Sequence, residues 1–363
     1  MEFPAKTDGE DELFDNSNVR IAIVGVGGGG CNTVNRIMSK GITSARTVAI
    51  NTDAVHLKVT NAHKRCLIGR SITRGLGAGG YPEVARNAAE TDKALIEQAL
   101  GQNEVVFICA GMGGGTGTGA APVVAKVAKE SGALTVGIVT FPFMLERVRI
   151  KTAYAGIQEL LKYVDSLIVI DNNKLATYMP NAQINAAFDF ADAVTARALR
   201  GIADTIMLPS LINMDYADLR SVMENKGIAM ISVGEGRGTD RVSQAVHSTI
   251  SHPLIDVDLV GAKGALIHIS GPEDLTLGEA TEIGEKITEN FDSRAEVKLG
   301  ARINPESQNG IFVCAIVTGI KTPKIFEGKI DVSQFNLNGQ KSLGPGIGVA
   351  SKGYQTASEI EWL

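Results

Sequence analysis

The chain has 363 residues, 44% hydrophobic and 21% charged, so it can bury sizeable cores and is not wholly disordered. Its length predicts two or three domains at roughly 100–200 residues each. The formal net charge of −5 leaves no basic excess to neutralise phosphates, which argues against nucleic acid as a partner. Its 41 glycines are clustered rather than placed every third residue, which excludes collagen and suggests loops where backbone closely approaches a ligand. Cys31, Cys66, Cys109 and Cys314 are far apart, with no CxxC pair and no histidine at metal-ligand spacing, and read as free thiols in a reducing cytosol. No basic-then-apolar leader opens the chain, and no run approaches the roughly 18 apolar residues of a membrane span. The expectation is a soluble, cytoplasmic protein without direct membrane insertion.

Residues 1–18 are acidic and polar and read as a flexible arm. Strands are predicted at Val19-Arg20-Ile21-Ala22-Ile23-Val24, Thr47-Val48-Ala49-Ile50, Val105-Val106-Phe107-Ile108-Cys109, residues 133–139 and residues 166–170, with helix-length segments between them. Continuous apolar strands alternating with helices predict an α/β fold, a Rossmann-like parallel sheet covered on both faces. Ligands bind such sheets at the carboxyl ends of the strands. From Asn185 to about Ile206 an alanine-rich stretch has helical spacing, and strands at 228–233, 264–269 and 310–317 follow. The expected divisions are a parallel-sheet domain at 19–184, a central helix with the loop after it at 185–223, a smaller α/β C-terminal domain at 224–320 and a tail at 321–363.

Gly25-Val26-Gly27-Gly28-Gly29-Gly30 lies between a strand and a helix, where backbone N–H groups and the helix N-terminus favour phosphate. This pattern suits NAD as well as GTP. The second cluster, Gly111-Met112-Gly113-Gly114-Gly115-Thr116-Gly117-Thr118-Gly119, interleaves two hydroxyls with glycines at another helix start. It can wrap a di- or triphosphate without the lysine of a Walker A loop, which the chain lacks.

Gly113 to Gly119, with Ala110-Gly111-Met112 before and Ala120-Ala121-Pro122-Val123 after, resembles the signature loop of the FtsZ family, the tubulin-like division GTPases of bacteria and many archaea. The resemblance runs from about Val19 to Gly319 and is more archaeal-like than bacterial in its second half. It implies the tubulin/FtsZ architecture, GTP/GDP with Mg, and a head-to-tail homopolymer that hydrolyses GTP to GDP and phosphate. By the same resemblance, Gly27, Gly28, Gly29, Gly30 and Asn32 form the first nucleotide loop. Asn51 and Asp53 lie in a second loop, near the phosphates and metal. Ala78, Gly79 and Gly80 belong to the loop that senses the γ-phosphate, where the family carries Asn in place of Tyr81. Gly113, Gly114, Gly115, Thr116, Gly117, Thr118 and Gly119 hold the phosphates. Pro142, Phe143 and Glu146 resemble the ribose loop, one residue short of the family's Glu-Gly-x-x-Arg, which leaves Arg149 or Arg147 for the arginine role. Asn172 corresponds to the asparagine that contacts the nucleoside. Magnesium is implied to be held mainly by phosphates and water.

Phe188 and Asp192 are four residues apart on a helix and share a face. An aromatic ring stacks on a purine, and a carboxylate accepts both guanine N1–H and N2–H, selecting guanine over adenine. Asn213-Met214-Asp215-Tyr216-Ala217-Asp218 places two carboxylates three residues apart at a helix start, where they also serve as caps. The resemblance implies that Asn213, Asp215 and Asp218 are catalytic residues reaching the nucleotide of the adjoining subunit. A head-to-tail contact of that kind does not close and propagates as a filament.

The C-terminus, with Trp362 as its only tryptophan, reads either as a peptide that docks on a membrane adaptor or as an end packed on its own domain. The resulting expectation is a GTPase forming a division ring beneath the membrane. The rivals are a tubulin-like GTPase controlling cell shape, a slowly hydrolysing scaffold and an NAD-dependent dehydrogenase. The second glycine loop and the Phe188/Asp192 pair argue against the dehydrogenase.

Overall fold

Six consecutive buried residues make β1 (Ile21–Val26), the composition of a strand covered on both faces. The computed structural model describes residues 19–178, 180–208, 210–224, 227–251, 258–304, 307 and 310–330, without the side chains of 176–178, 184–185, 187–188 and 205. The segment read as an acidic arm (1–18) lies outside the described residues, as do residues 331–363 of the expected tail, with Trp362 and the end read either as a docking peptide or as packed on its own domain.

Alongside β1 lie β2 (Arg46–Asn51), β3 (Lys64–Leu67), β4 (Val105–Gly111), β5 (Leu134–Phe141), β6 (Ser166–Asp171) and β7 (Gly227–Arg237), in the parallel order β3-β2-β1-β4-β5-β6-β7. Gly25 pairs with Ala49 on one side and Cys109 on the other, which sets the ends of β1 and β4 level. The sheet continues through β10 (Gly310–Thr318), antiparallel to β7, then β8 (Gly264–Gly271) and β9 (Glu296–Ile303). β7 joins the two halves. Its first residues, Gly227–Ala229, pair with β6, and Met230–Arg237 pair with β10.

Two strands escaped the sequence reading. β3 has four residues and opens with Lys64 and Arg65, and β9 alternates charge with half-buried positions. Both are edge strands, where the apolar run that marks an inner strand is not required.

The helices are α1 (Gly27–Ser39), α2 (Ala54–Val59), α3 (Arg70–Thr73), α4 (Pro82–Thr91), α5 (Lys93–Leu100), α6 (Gly115–Glu130), α7 (Arg147–Leu161), α8 (Asn172–Tyr178), α9 (Ile184–Met207), α10 (Tyr216–Met223), α11 (Arg241–Ser251) and α12 (Leu277–Thr288). One face of the parallel sheet packs under α5, α6 and α7; the other packs under α1, α9 and α10. Helices α11 and α12 cover the β8–β10 strands in a third cluster. The alanine-rich α9 buries Ala198, Leu199, Ile202 and Ala203 completely. Its Gly201 lets β8 approach, since a Cβ there would meet His268 Cδ2 at 2.9 Å.

The tail expected from residue 321 does not begin there. Lys324–Phe326 form a short 3-10 turn, and Phe326 is fully buried. Its ring lies 5.9 Å from that of Phe141 and 6.2 Å from that of Tyr154. The Tyr154 hydroxyl donates to the Ile325 carbonyl at 2.8 Å. Aromatic burial therefore straps this segment onto the first half of the sheet.

Candidate functional site

Strands β1 and β4 are neighbours, but the helices that follow them lie on opposite faces of the sheet. This divergence opens a crevice at the carboxyl ends of the strands, with two helix N-termini converging on it. The two glycine clusters line it.

The glycines divide by what surrounds them. Several exist so that backbone can meet backbone. A Cβ on Gly30 would lie 2.0 Å from the Cys109 carbonyl oxygen, one on Gly117 2.4 Å from the Gly111 oxygen, and one on Gly119 2.0 Å from the Pro82 oxygen. Gly27 has φ +72° and presses against Gly117 N, so the first loop rests on the second. A Cβ on Gly29 would touch the Gly111 backbone at 3.3 Å. Gly28 and Gly114 are different. Gly28 has no neighbour within 4 Å of a built Cβ, and Gly114 has only the Arg149 guanidinium, at 3.9 Å. Both leave open space, room enough for a bulky anion.

The threonines also divide. Thr118 is buried, and its hydroxyl accepts the Gly113 N–H at 2.9 Å, closing its own loop. Thr116 sits 2.7 Å from the Thr52 hydroxyl, tying the signature loop to the segment after β2. In that segment Asn51 is buried, and its Oδ1 accepts the N–H groups of Thr52 and Asp53. Asp53 caps α2 through Oδ1, accepting from Val55 N and His56 N. His56 in turn reaches the Asn32 Oδ1 at 3.2 Å. Next comes the loop from Thr73 to Gly80. Ala54 N donates to the Gly75 carbonyl, and Gly77 N to the Thr52 carbonyl. Arg74, Gly75, Gly77, Gly79 and Gly80 all have positive φ, so this loop depends on glycine conformation. Ala78 is buried close to Gly115, and Tyr81 is exposed.

On the far side of the crevice, the Glu146 Oε1 accepts the Phe143 N–H at 3.1 Å, and its carboxylate pairs with Arg149. Arg149 Nε also donates to the Gly113 carbonyl at 3.4 Å. The arginine bridging this loop to the signature loop is therefore Arg149, while Arg147 only opens α7. Asn173, which the sequence reading passed over for Asn172, accepts the Met144 N–H and donates to Asp171 Oδ1 at 2.6 Å. It fixes the ribose-side loop to the end of β6. The Asn172 Oδ1 is buried and has no hydrogen-bond partner among the described residues, a polar atom awaiting a donor.

Asp192, on α9, accepts the Thr33 hydroxyl at 2.7 Å, and Arg36 pairs with Asp189 one turn earlier. Burial raises the Asp192 pKa above its ordinary 3.8, while the Thr33 hydrogen bond and Arg36 oppose the rise. Thr33 has no motif of its own; its position two turns into α1 was the only signal. The Phe188 side chain lies outside the described residues.

Asn213, Asp215 and Asp218 are not in this crevice. They follow the carboxyl end of α9, whereas Asp192 lies in its amino-terminal half. At 1.5 Å per residue the helix from Asp192 to Met207 alone spans roughly 22 Å. Asp215 caps α10 in a capping box, accepting Asp218 N at 2.8 Å while Asp218 Oδ2 accepts Asp215 N at 3.2 Å. Asn213 Oδ1 accepts Ser210 N, and Leu211 N and Ile212 N donate to Ala301 of β9. Lys298, also unmarked in the sequence, lies 2.9 Å from Asp218 Oδ1. That contact lowers the Asp218 pKa, so the carboxylate is held ionised. Asp215 stays exposed. No cluster of three His, Cys, Asp or Glu suited to a metal occurs among the described residues.

Sheet order, twin glycine loops at the switch point and a long central helix define a tubulin-like nucleotide-binding protein. Residues 20–180 match the family model described as Tubulin/FtsZ family, GTPase domain, and residues 227–321 match FtsZ family, C-terminal domain. The chain is 56% identical over 310 residues to the cell division protein FtsZ 2 of Methanocaldococcus jannaschii, covering 84% of this chain and 81% of that protein. It is 44% identical over 362 residues to the FtsZ 2 of Haloferax volcanii, covering 98% and 90%. The solved empty FtsZ dimer of M. jannaschii superposes with a TM-score of 0.82 at 42% identity, covering 95% of this chain and all of that one. The chain belongs to the FtsZ family.

Proposed function

We propose that the chain is a GTP-dependent polymerising protein of cell division that hydrolyses GTP between head-to-tail subunits. The carrying observation is the separation along α9. Asp192 and the glycine loops stand at one pole, and the exposed Asp215 stands at the other. A single chain cannot bring these groups together, but a second copy stacked on the first can.

In this reading GTP lies over the ends of β1, β4, β5 and β6. The open backbone at Gly28 and Gly114, flanked by two helix N-termini, takes the phosphates. Thr116, and Ala78 to Gly80 behind it, surround the γ-phosphate. Glu146 and Arg149 face the ribose. The unpartnered Asn172 Oδ1 and the Asp192 carboxylate accept from the nucleoside. The remaining motif glycines, with Asn51 and Thr118, shape the cradle through their own hydrogen bonds and close packing.

Asp215 and Asp218 of the next subunit orient a water for attack on the γ-phosphorus. The bond to the β–γ bridging oxygen breaks, and GDP and phosphate result. Asp218, held anionic by Lys298, remains available to accept the water's hydrogen. Magnesium would be held mainly by the nucleotide's oxygens and water, as the family resemblance implies, and would supply charge neutralisation there. No helix among the described residues is long and apolar enough to cross a membrane. A ring beneath the membrane would be reached through an adaptor that docks on the C-terminal tail.

GTP turnover measured against protein concentration, with light scattering in the same tube, tests this reading. A threshold followed by a steep rise in both signals is expected. A rate linear from the lowest concentration, without scattering, would overturn the shared site.

A further inference from the structure

A cavity of about 560 Å³ opens between α1, α9 and strands β7, β8, β9 and β10, beyond the nucleotide loops. That volume lies within the range of small-molecule sites. Its walls carry Arg36 from α1 and Lys40 at its C-cap, Arg197 and Arg200 from α9, Arg237 from β7 and Arg302 from β9. Among the described residues, Asp204 and Glu235 are the acidic groups that oppose them on the same walls, with Asp189 behind Arg36.

The carboxylates are shared and loosely held. Asp204 Oδ2 lies 3.4 Å from both Arg200 Nε and Arg302 Nη1, and Asp204 Oδ1 also accepts the Ser44 hydroxyl at 2.5 Å. Glu235 lies 3.3 Å from Arg197 Nη1 and 3.7 Å from Arg237 Nη2. Four guanidinium groups thus divide two carboxylates and keep donors to spare. The Phe312 ring sits 4.0 Å beneath the Arg197 guanidinium and holds its plane. His268, at the back of the cleft, is pushed down to about 4 by burial and by Arg302, so it adds no charge near neutral pH.

We propose that this cleft binds a small polyphosphate anion, gripped chiefly by Arg200 and Arg302. The guanidinium groups arrive from separate elements and so from different directions. Tetrahedral phosphate oxygens meet such a set, whereas a planar carboxylate offers one fork to one arginine. The site is distinct from the nucleotide crevice, because Arg36 in the last turn of α1 and Lys40 at its C-cap lie beyond the glycine loop, Asn32 and Thr33 assigned to the crevice.

Pyrophosphate titrated calorimetrically into the full chain, saturated with GDP in magnesium-free buffer, tests the site with the nucleotide loops occupied. Saturable one-to-one binding is expected. Arg200→Gln with Arg302→Gln should weaken it at least tenfold and leave GDP affinity unchanged. Lys40→Glu and Arg237→Glu, at exposed positions, should each weaken it several-fold even if the double variant fails to fold. Absence of saturable binding to the unaltered chain would overturn the proposal. So would an affinity unmoved by Lys40→Glu and Arg237→Glu, or citrate binding more tightly than pyrophosphate.

Discussion

The Thr33 hydroxyl donates to Asp192 Oδ1 at 2.7 Å across 159 residues of sequence. This bond joins α1, which begins at the first glycine loop, to the helix that spans the molecule. It also holds the half-buried carboxylate that the proposed function assigns to the base. Thr33→Val should therefore weaken GTP binding about tenfold, since a hydrogen bond to a charged group contributes roughly 1.5–3 kcal/mol. Equilibrium binding of GTP and ATP, compared between the two proteins, checks it. Unchanged GTP affinity would remove Asp192 from base recognition.

The raised Asp192 pKa predicts two pH effects. If Asp192 reads guanine as proposed, selection requires its ionised form, so GTP affinity should fall as pH drops through the raised value. Stability of the nucleotide-free protein should move the opposite way. The folded state holds this proton more tightly than the unfolded state, so the contribution is full below the raised value's window and is lost as pH rises from about 3.8 through it. Asp192→Asn should flatten both trends in binding and in urea midpoint.

Asp215 and Asp218 cap α10 and also carry the proposed chemistry, and one substitution separates the roles. Asp215→Ser keeps a capping oxygen but removes the carboxylate. Thermal stability should stay within about 0.5 kcal/mol of the original, while GTP turnover falls at least a hundredfold and polymers lengthen. GTP binding should not change, because the residue serves the neighbouring subunit's nucleotide.

Lys298 holds Asp218 ionised. In Lys298→Met the Asp218 pKa should rise, moving the acid limb of the turnover profile to higher pH. For stability the sign is that of a lowered carboxyl: the contribution is present above the unfolded value and disappears as pH falls through the folded one. Being a surface pair, its loss should cost little stability. An acid limb that stays in place would mean that Asp218 does not govern the rate.

Gly28→Ala and Gly30→Ala should differ sharply. A Cβ on Gly30 meets the Cys109 carbonyl at 2.0 Å, so that variant should lose several kcal/mol of stability or fail to fold. A Cβ on Gly28 meets nothing within 4 Å, so that variant should fold as well as the original. Its GTP affinity should nevertheless fall, because the methyl group occupies the space assigned to phosphate. Denaturation curves and nucleotide binding on both variants decide this.

Much of the fold was legible because inner parallel strands need apolar residues on both faces. The continuous runs at β1, β4, β5 and β6 show that directly. The edge strands β3 and β9 were not legible, since exposure on an edge removes that constraint. The buried anchor Phe326 was missed because it is one aromatic in a polar segment, and only its contact with Phe141 and Tyr154 gives it a place.

By itself the sequence determined the sheet class, the long helix, the two glycine loops and the family, all of which rest on local patterns. Tertiary structure decided which glycine serves which purpose. A missing Cβ looks the same in sequence whether backbone packing, a positive φ or a ligand requires it, and only the surroundings of Gly28 and Gly30 tell them apart. It likewise supplied Thr33 for Asp192 and Lys298 for Asp218, because a hydrogen bond between distant residues leaves no periodic trace. Finally, the length and rigidity of α9 put Asp192 and Asp215 at opposite poles, a separation set by helix geometry once both of its ends are packed in place.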